Sequence, residues 1–553
     1  VRSEQAAATG PPPTTTHTST GLFARNATGL VRGVTPKSAF IINFIAGHPA
    51  FSLATSFFIV FSLFPGGNFP LALLLVLPLV LGFAYSYGLL TQMIPRSGGD
   101  YMMVSRVIHP SVGLISSFCM TLAGLLGNAF SAFALITVGI GPGLAAVGLL
   151  AKDPSLVHAG AVVQSDKWYK LLAGVIMMAI ASGMLLAGWR WTLRIQNTLF
   201  WLVTGSLVVG VLVALFTSPH AFAGDFNSFA QPYTHSKDSY HEIIRTATKA
   251  GVNVSPGFSV SATIPVVGFF ATFSIFSYFS SYVGGELRQG STMKTSNVMA
   301  GAGVACLVIF FICALIFLHT FGHNFMIASG SASGLGTALP TSATWFVLTG
   351  VAVGSPVFMA VITICAAVLF WPLICYVAFL QPTRMIFAYS FDGILPKGVT
   401  KLSRTNAPYV AVIITFLLSV AVLFWAINST SFIQIIVYST LVQLISMALV
   451  GLSAVVVPWR RPEMYRASSS NKTILGVPLV TIAGAIAFGA CAFIWFVYFH
   501  YKAQFGLTNV GRMFAIFGAT IALAVIYYLV AKAIRLRRSG INIDLAYAEI
   551  PPE

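Results

Sequence analysis

The sequence predicts a polytopic α-helical membrane protein with twelve spanning segments. Two observations carry this. Of 553 residues, 57% are hydrophobic and only 8% are Asp, Glu, Lys or Arg. The apolar residues are also gathered into unbroken runs of roughly 20, the length that crosses a bilayer as a helix. A soluble chain carries roughly 25% charged residues, so a soluble enzyme and a disordered chain are both excluded. Strands of an outer-membrane barrel alternate over about 10 residues, and these runs do not alternate.

In chain order, residues 1–37 read as a disordered tail, with Pro11-Pro12-Pro13 and a Thr/Ser run. The tail is not a secretory signal, because the apolar stretch behind it is too long for an h-region. The apolar runs follow at 38–64, 70–94, 111–140, 169–188 and 197–217. A polar outside connection occupies 218–262; its mixed charge suits a solvated loop with a short helix. Five more runs follow at 263–284, 298–321, 345–381, 409–427 and 432–457, then two at 475–499 and 513–534, and a short tail at 535–553. The third and eighth runs are the longest and are expected to tilt. The six cysteines all fall inside apolar runs without metal-ligand spacing, so they read as small core residues.

The net charge of +17 suggests nucleic acid until the charges are placed on the chain. With the N-terminus inside, 22 of the 30 Lys and Arg fall in cytoplasmic segments. The positive-inside rule therefore puts both termini in the cytoplasm, in the plasma membrane, with anionic lipid headgroups rather than nucleic acid as the partner.

No P-loop, HExxH or GxSxG is present, and the chain is not read as an enzyme. All thirteen acidic residues lie in loops, tails or helix ends, which disfavours a strongly cationic substrate. Two runs carry breaks. The first reads Ala46-Gly47-His48-Pro49 near its middle, with Asn43 one turn earlier. Pro49 lacks an N–H and pushes His48 away from helical angles. Either a proline kink or a functional unwound site satisfies that pattern. The sixth run reads Phe273-Ser274-Ile275-Phe276-Ser277-Tyr278, which suits either a helix-contact face or a binding site. The two broken runs head two blocks of five, the arrangement of an inverted-repeat transporter whose half-helix ends face a zwitterion.

Three loop segments sharpen this. Pro95-Arg96-Ser97-Gly98-Gly99-Asp100-Tyr101 continues to Ser105-Arg106 and Pro110. Gly284-Gly285-Glu286-Leu287-Arg288 follows the sixth run, and Arg384 to Ala388, then Asp392-Gly393-Ile394-Leu395-Pro396, follows the eighth. Together, in this order, they resemble the signatures of the amino acid–polyamine–organocation superfamily over about 38–534.

The resemblance implies a LeuT-like five-plus-five inverted repeat with two extra C-terminal helices. It also implies secondary transport of amino acids by alternating access. It places Ala46, Gly47, His48 and Pro49, with Phe273, Ser274, Ile275, Phe276, Ser277 and Tyr278, at the substrate site. Tyr278 stands where some cation-specific relatives hold a carboxylate, which again favours a neutral amino acid. The break reads AGHP where many relatives are glycine-rich, which weakens the anchor for a substrate carboxylate. No cofactor is implied beyond H⁺ or Na⁺ as the coupling ion. His48 is the candidate for proton coupling, or it stays neutral and bonds the substrate or the unwound backbone, or it is purely structural; Ser355 and Thr363 are candidates to help hold Na⁺. Arg96, Asp100, Arg384 and Asp392 are expected in cytoplasmic salt bridges or helix caps. The alternatives are an organic-amine or polyamine exchanger and, from another class, a membrane sensor without transport. An intramembrane enzyme lacks clustered catalytic groups, and a channel lacks a filter.

Overall fold

The computed structural model describes residues 29–55, 57–288, 294–331, 339, 341–429, 432–539 and 543–547. Most of the tail expected over 1–37, and the last residues of the tail at 535–553, lie outside the described residues.

The first apolar run forms three short helices: α1 (Pro36–Ala46), α2 (Pro49–Thr55) and α3 (Phe57–Leu63). Thr35 caps α1 by accepting from Ser38 N, and Pro36 supplies the fixed φ of a first turn. The helix ends at Gly47 because His48 precedes a proline and Pro49 cannot donate. Next come α4 (Phe69–Met93) and the short α5 (Gly99–Val107). Gly98, at φ +125°, makes the turn into α5, a conformation open only to glycine. The third run extends past its expected end at 140 and is continuous as α6 (Pro110–Ala151), with a π turn at Leu135–Ile140.

After α7 (Pro154–Ser165), α8 (Lys167–Leu186) and α9 (Trp189–Phe216), the 218–262 connection is mostly helical, as α10 (Pro219–Thr234) and α11 (Ser239–Lys249). Its aromatic residues explain the difference from a solvated loop. Phe222, Phe226 and Phe229 repeat at helical spacing and are buried, and the Tyr240 ring stacks on Phe325.

The sixth run stops halfway. α12 (Val260–Ser274) gives way to a turn over 275–278 and a 3₁₀ turn at Phe279–Tyr282. Beyond it lie α13 (Thr295–Phe321), α14 (His323–Gly330) and α15 (Trp345–Val353). The eighth run, expected whole over 345–381, is divided. Gly354 adopts φ +68° after α15, and Ser355 caps α16 (Pro356–Phe391), which is the long helix. The chain closes with α17 (Tyr409–Ser429), α18 (Phe432–Arg460), α19 (Pro462–Ala467), α20 (Leu479–His500) and α21 (Val510–Ser539).

Among the described residues, eleven helical segments are long and apolar enough to cross a membrane. The broken first run is not one of them, since none of its helices reaches that length. Leu74, Leu172, Leu215, Leu417 and Leu529 are each more than half exposed on these helices. An outer surface of leucine on hydrogen-bonded helices is what a bilayer requires, and the chain is a multi-pass membrane protein. Inside, α4 packs on α13, α6 on α16 and α8 on α17, and the π turns of α6 and α16 touch. The first residues of α1 and the C-terminal turn at Ile543–Tyr547 lie at the same end of the bundle, called here the termini end. There Val34 pairs with Leu287, and the Tyr547 hydroxyl bonds the Tyr101 hydroxyl.

Candidate functional site

The two breaks meet. Asn43, in the last turns of α1, donates through Nδ2 to Ser280 Oγ at 3.0 Å and accepts Ser280 N–H on Oδ1 at 2.8 Å. Both residues are fully buried, so each unmade bond would cost about 1–3 kcal/mol. At Gly47 the backbones come close. A Cβ there would sit 3.9 Å from the carbonyl oxygens of both Phe273 and Ser274. The C-terminal ends of α1 and α12 thus converge, and both present carbonyl oxygens with the negative end of a helix dipole.

Beside them lies a cavity of about 120 Å³. Phe51, Phe130, Phe273, Phe276 and Phe279 form its apolar wall, and Ala46 opens onto it from α1. Gly124, Gly127 and Ser131 of α6 face Gln381 of α16 and Ser439, Thr440 and Gln443 of α18. Gln381 donates to Met120 O at 2.8 Å, and Gln443 donates to the Tyr278 hydroxyl at 3.0 Å. Among the described residues, no charged side chain and no histidine lines this pocket.

His48 turns away from it. The Ala50 N–H donates to His48 Nδ1 at 3.1 Å, and an N–H can only donate. Nδ1 is therefore bare, and Nε2 carries the proton, which it gives to Thr204 Oγ1 at 3.2 Å. The ring sits among Phe44, Phe200 and Phe370 and is fully buried. It acts as the cap of α2. Phe51 N also donates to His48 O, at 3.0 Å. The first N–H groups of α2 are thus absent, at Pro49, or occupied, at Ala50 and Phe51.

Of the other sequence-predicted residues, Ala46, Phe273 and Phe276 line the pocket, while Ser274 and Ile275 are buried at the break. Ser277 packs against Gly303. Tyr278 stacks on Tyr87 with centroids 4.0 Å apart. Ser355 caps the start of α16, accepting from Phe358 N. Thr363 lies two turns further along and packs against Gly143 of α6. Sequence reasoning missed the α6, α16 and α18 walls. The amides of Gln381 and Gln443 inside apolar runs were the signal available.

The loop motifs build a buried clasp at the termini end. Arg384 Nε and Nη2 donate to the two oxygens of Glu286 at 2.9 and 3.0 Å. Trp189 Nε1 donates to Glu286 Oε2 at 2.7 Å, and Ser97 Oγ to Oε1 at 3.2 Å. Arg106 forms a second bidentate pair with Asp392, both bonds 2.7 Å. Burial alone would lower the Arg106 pKa, but Asp392 beside it holds the guanidinium above its ordinary range. Arg384 and Asp392 are thus in ion pairs as expected, with Glu286 and Arg106 as partners. Asp100 forms no ion pair but accepts from the Tyr87 hydroxyl at 2.6 Å. Arg96 Nη1 donates to Pro95 O.

Two interrupted helices around an uncharged pocket, closed at one end by ion pairs, are the parts of a carrier. Comparison with curated proteins gives no match. The family model described as amino acid permease matches residues 38–525, most of the chain. The chain belongs to that family, and so to the amino acid–polyamine–organocation superfamily of membrane transporters.

Proposed function

We propose that this transporter moves neutral amino acids across the plasma membrane by alternating access, as a secondary carrier driven by H⁺ or Na⁺. Both termini lie in the cytoplasm, and twelve spans form a five-plus-five inverted repeat with two added helices. The observation that carries the substrate reading is an uncharged, phenylalanine-walled pocket beside two converging helix C-termini. The carbonyl ends suit an ammonium group, and the phenylalanines suit an apolar side chain. The pairwise packing of α4 on α13, α6 on α16 and α8 on α17 supports the repeat. The broken first run supplies the twelfth span.

A second reading has its own observation. The N–H groups that open α2 are missing or taken by His48, so a substrate carboxylate finds few donors there. An organic amine without a carboxylate needs none, and aromatic faces hold such cations well. Counterflow in proteoliposomes, comparing each amino acid with its decarboxylated amine, separates the two. Leucine and phenylalanine exchanged in preference to isopentylamine and phenethylamine support the first reading. Exchange of the amines alone overturns it in favour of the second.

A further inference from the structure

A buried carboxyl lies outside the pocket and outside the ion pairs. Asp100, in the first turn of α5, is fully buried. Its Oδ1 accepts from the Tyr87 hydroxyl at 2.6 Å and from Ser446 Oγ at 3.2 Å. Oδ2 is left to the hydroxyl of Tyr282, which can donate to a carboxylate or accept from a carboxylic acid. Hydroxyl bonds alone leave a carboxylate's charge without a cation in a dry site, which is costly. A carboxylic acid carries no such charge, and its proton on Oδ2 finds the Tyr282 oxygen as acceptor.

Among the described residues, the groups that face it carry no counter-charge. α4 presents Tyr87, the sixth-run segment presents Tyr278 and Tyr282, and α16 presents Tyr389. α6 and α18 present the neutral hydroxyls of Ser116 and Ser446, which bond each other. The two buried arginines at this end are committed, Arg106 to Asp392 and Arg384 to Glu286. Burial accordingly pushes the Asp100 carboxyl above its ordinary 3.8, although the hydroxyl bonds pull the other way.

Asp100 is also wired to the pocket. Gln443 lines the pocket and donates to the Tyr278 hydroxyl; Tyr278 stacks on Tyr87; Tyr87 donates to Asp100. Whatever moves Gln443 or the sixth-run segment disturbs the cage around the acid.

We propose that Asp100 is the proton-binding site that couples transport to a proton gradient. It is protonated on Oδ2 in this packing and loses that proton to water when Tyr87, Tyr278 and Tyr282 separate. This rests on the transporter reading and names its coupling ion. The test uses the purified full chain in proteoliposomes with an imposed pH gradient and leucine or phenylalanine as substrate. Wild type is expected to accumulate substrate with the gradient. Asp100→Asn is expected to lose accumulation at least tenfold while still exchanging internal for external substrate. Tyr87→Phe, which removes a donor to the carboxylate, should raise the pH midpoint of uptake by about one unit, the worth of one hydrogen bond. Accumulation by Asp100→Asn at the wild-type level overturns the proposal. So does wild-type accumulation that follows a Na⁺ gradient and ignores pH. Infrared difference spectra of wild type against Asp100→Asn, at neutral pH, read the site without transport. The carbonyl band of a protonated carboxylic acid supports it, and absence of that band overturns it. A wild type that shows the band but moves no amino acid or amine counts against the transport reading alone.

Discussion

Glu286→Gln tests the clasp most directly. The carboxylate holds Arg384 through two bonds at 2.9 and 3.0 Å, with Glu286 1% and Arg384 3% exposed. Trp189 and Ser97 add two further donors. Removing one partner from a buried ion pair leaves the other charge uncompensated, which costs about 3–5 kcal/mol. At 1.4 kcal/mol per factor of ten, that is roughly two to three and a half orders of magnitude in an opening equilibrium. Glutamine keeps the shape and still accepts from Trp189, so the lower half of that range is expected.

The structure also says which contacts open. Glu286 sits on a segment that is bonded to the 95–98 loop, where Gly98 N donates to Tyr282 O at 3.0 Å. The same segment is bonded to the entry of α1, where Val34 N donates to Glu286 O at 3.0 Å and Arg288 N to Val34 O at 2.9 Å. Only the first of these joins parts that the clasp holds together from outside the segment. Amide hydrogen exchange in detergent should therefore show Gly98 losing about a hundredfold or more of its protection. Val34 and Arg288 should keep theirs. The double variant Glu286→Gln with Arg384→Met should recover part of the loss, since no buried charge is then left alone. Unchanged protection at Gly98, or equal loss at all three amides, refutes the reasoning.

Two further predictions concern the site. His48 acts as the cap of α2, so His48→Asn, whose side-chain oxygen can cap, should keep most uptake and the wild-type pH profile. His48→Ala should lose about 2- to 30-fold, the worth of a cap. Equal uptake in both variants would sink the capping role, and a flattened pH profile in His48→Asn would restore the histidine as the coupling group. At Gly127 a Cβ would meet only Ser439 Oγ, at 4.0 Å, so a side chain there grows into the cavity. Gly127→Leu should raise KM for leucine and phenylalanine at least tenfold and spare alanine. Unaltered selectivity in competition uptake would place the substrate elsewhere.

The membrane class and most helices were legible because each rests on local composition. The first break was legible for the same reason: Gly47, His48 and Pro49 carry their own steric instructions. The second was not. Nothing over Ile275–Tyr278 breaks a helix. The turn is held from outside, by Asn43 on Ser280 and by Gln443 on Tyr278. Such tertiary hydrogen bonds leave no periodic trace in the sequence. For His48 the sequence leaves open titration, contact with substrate and a bond to the unwound backbone. Only the Ala50 N–H shows that one ring nitrogen is already spent. Gly354-Ser355-Pro356 is a short interruption in a long apolar run, and its cap geometry makes Ser355 a helix start.

The contacts of α1 bind the pocket to the clasp. α1 has 11 residues, so it spans roughly 16 Å at 1.5 Å per residue. Val34, just before it, is tied to Glu286 and Arg288; Asn43, near its other end, is tied to Ser280. Ser280 and Glu286 stand six residues apart on one short segment. Two attachment points along a rigid helix stop α1 from tilting independently of that segment, so the two move as one body. That body carries Ala46 and Phe279 of the pocket wall and, through Glu286, the ion pair with Arg384. It cannot swing away from α16 without losing both at once. Under the proposed alternating access, entry to the pocket from the termini end and release of the clasp are therefore the same event. Asn43→Ala should uncouple them, freeing the pocket end of α1 while the Glu286–Arg384 pair stays closed.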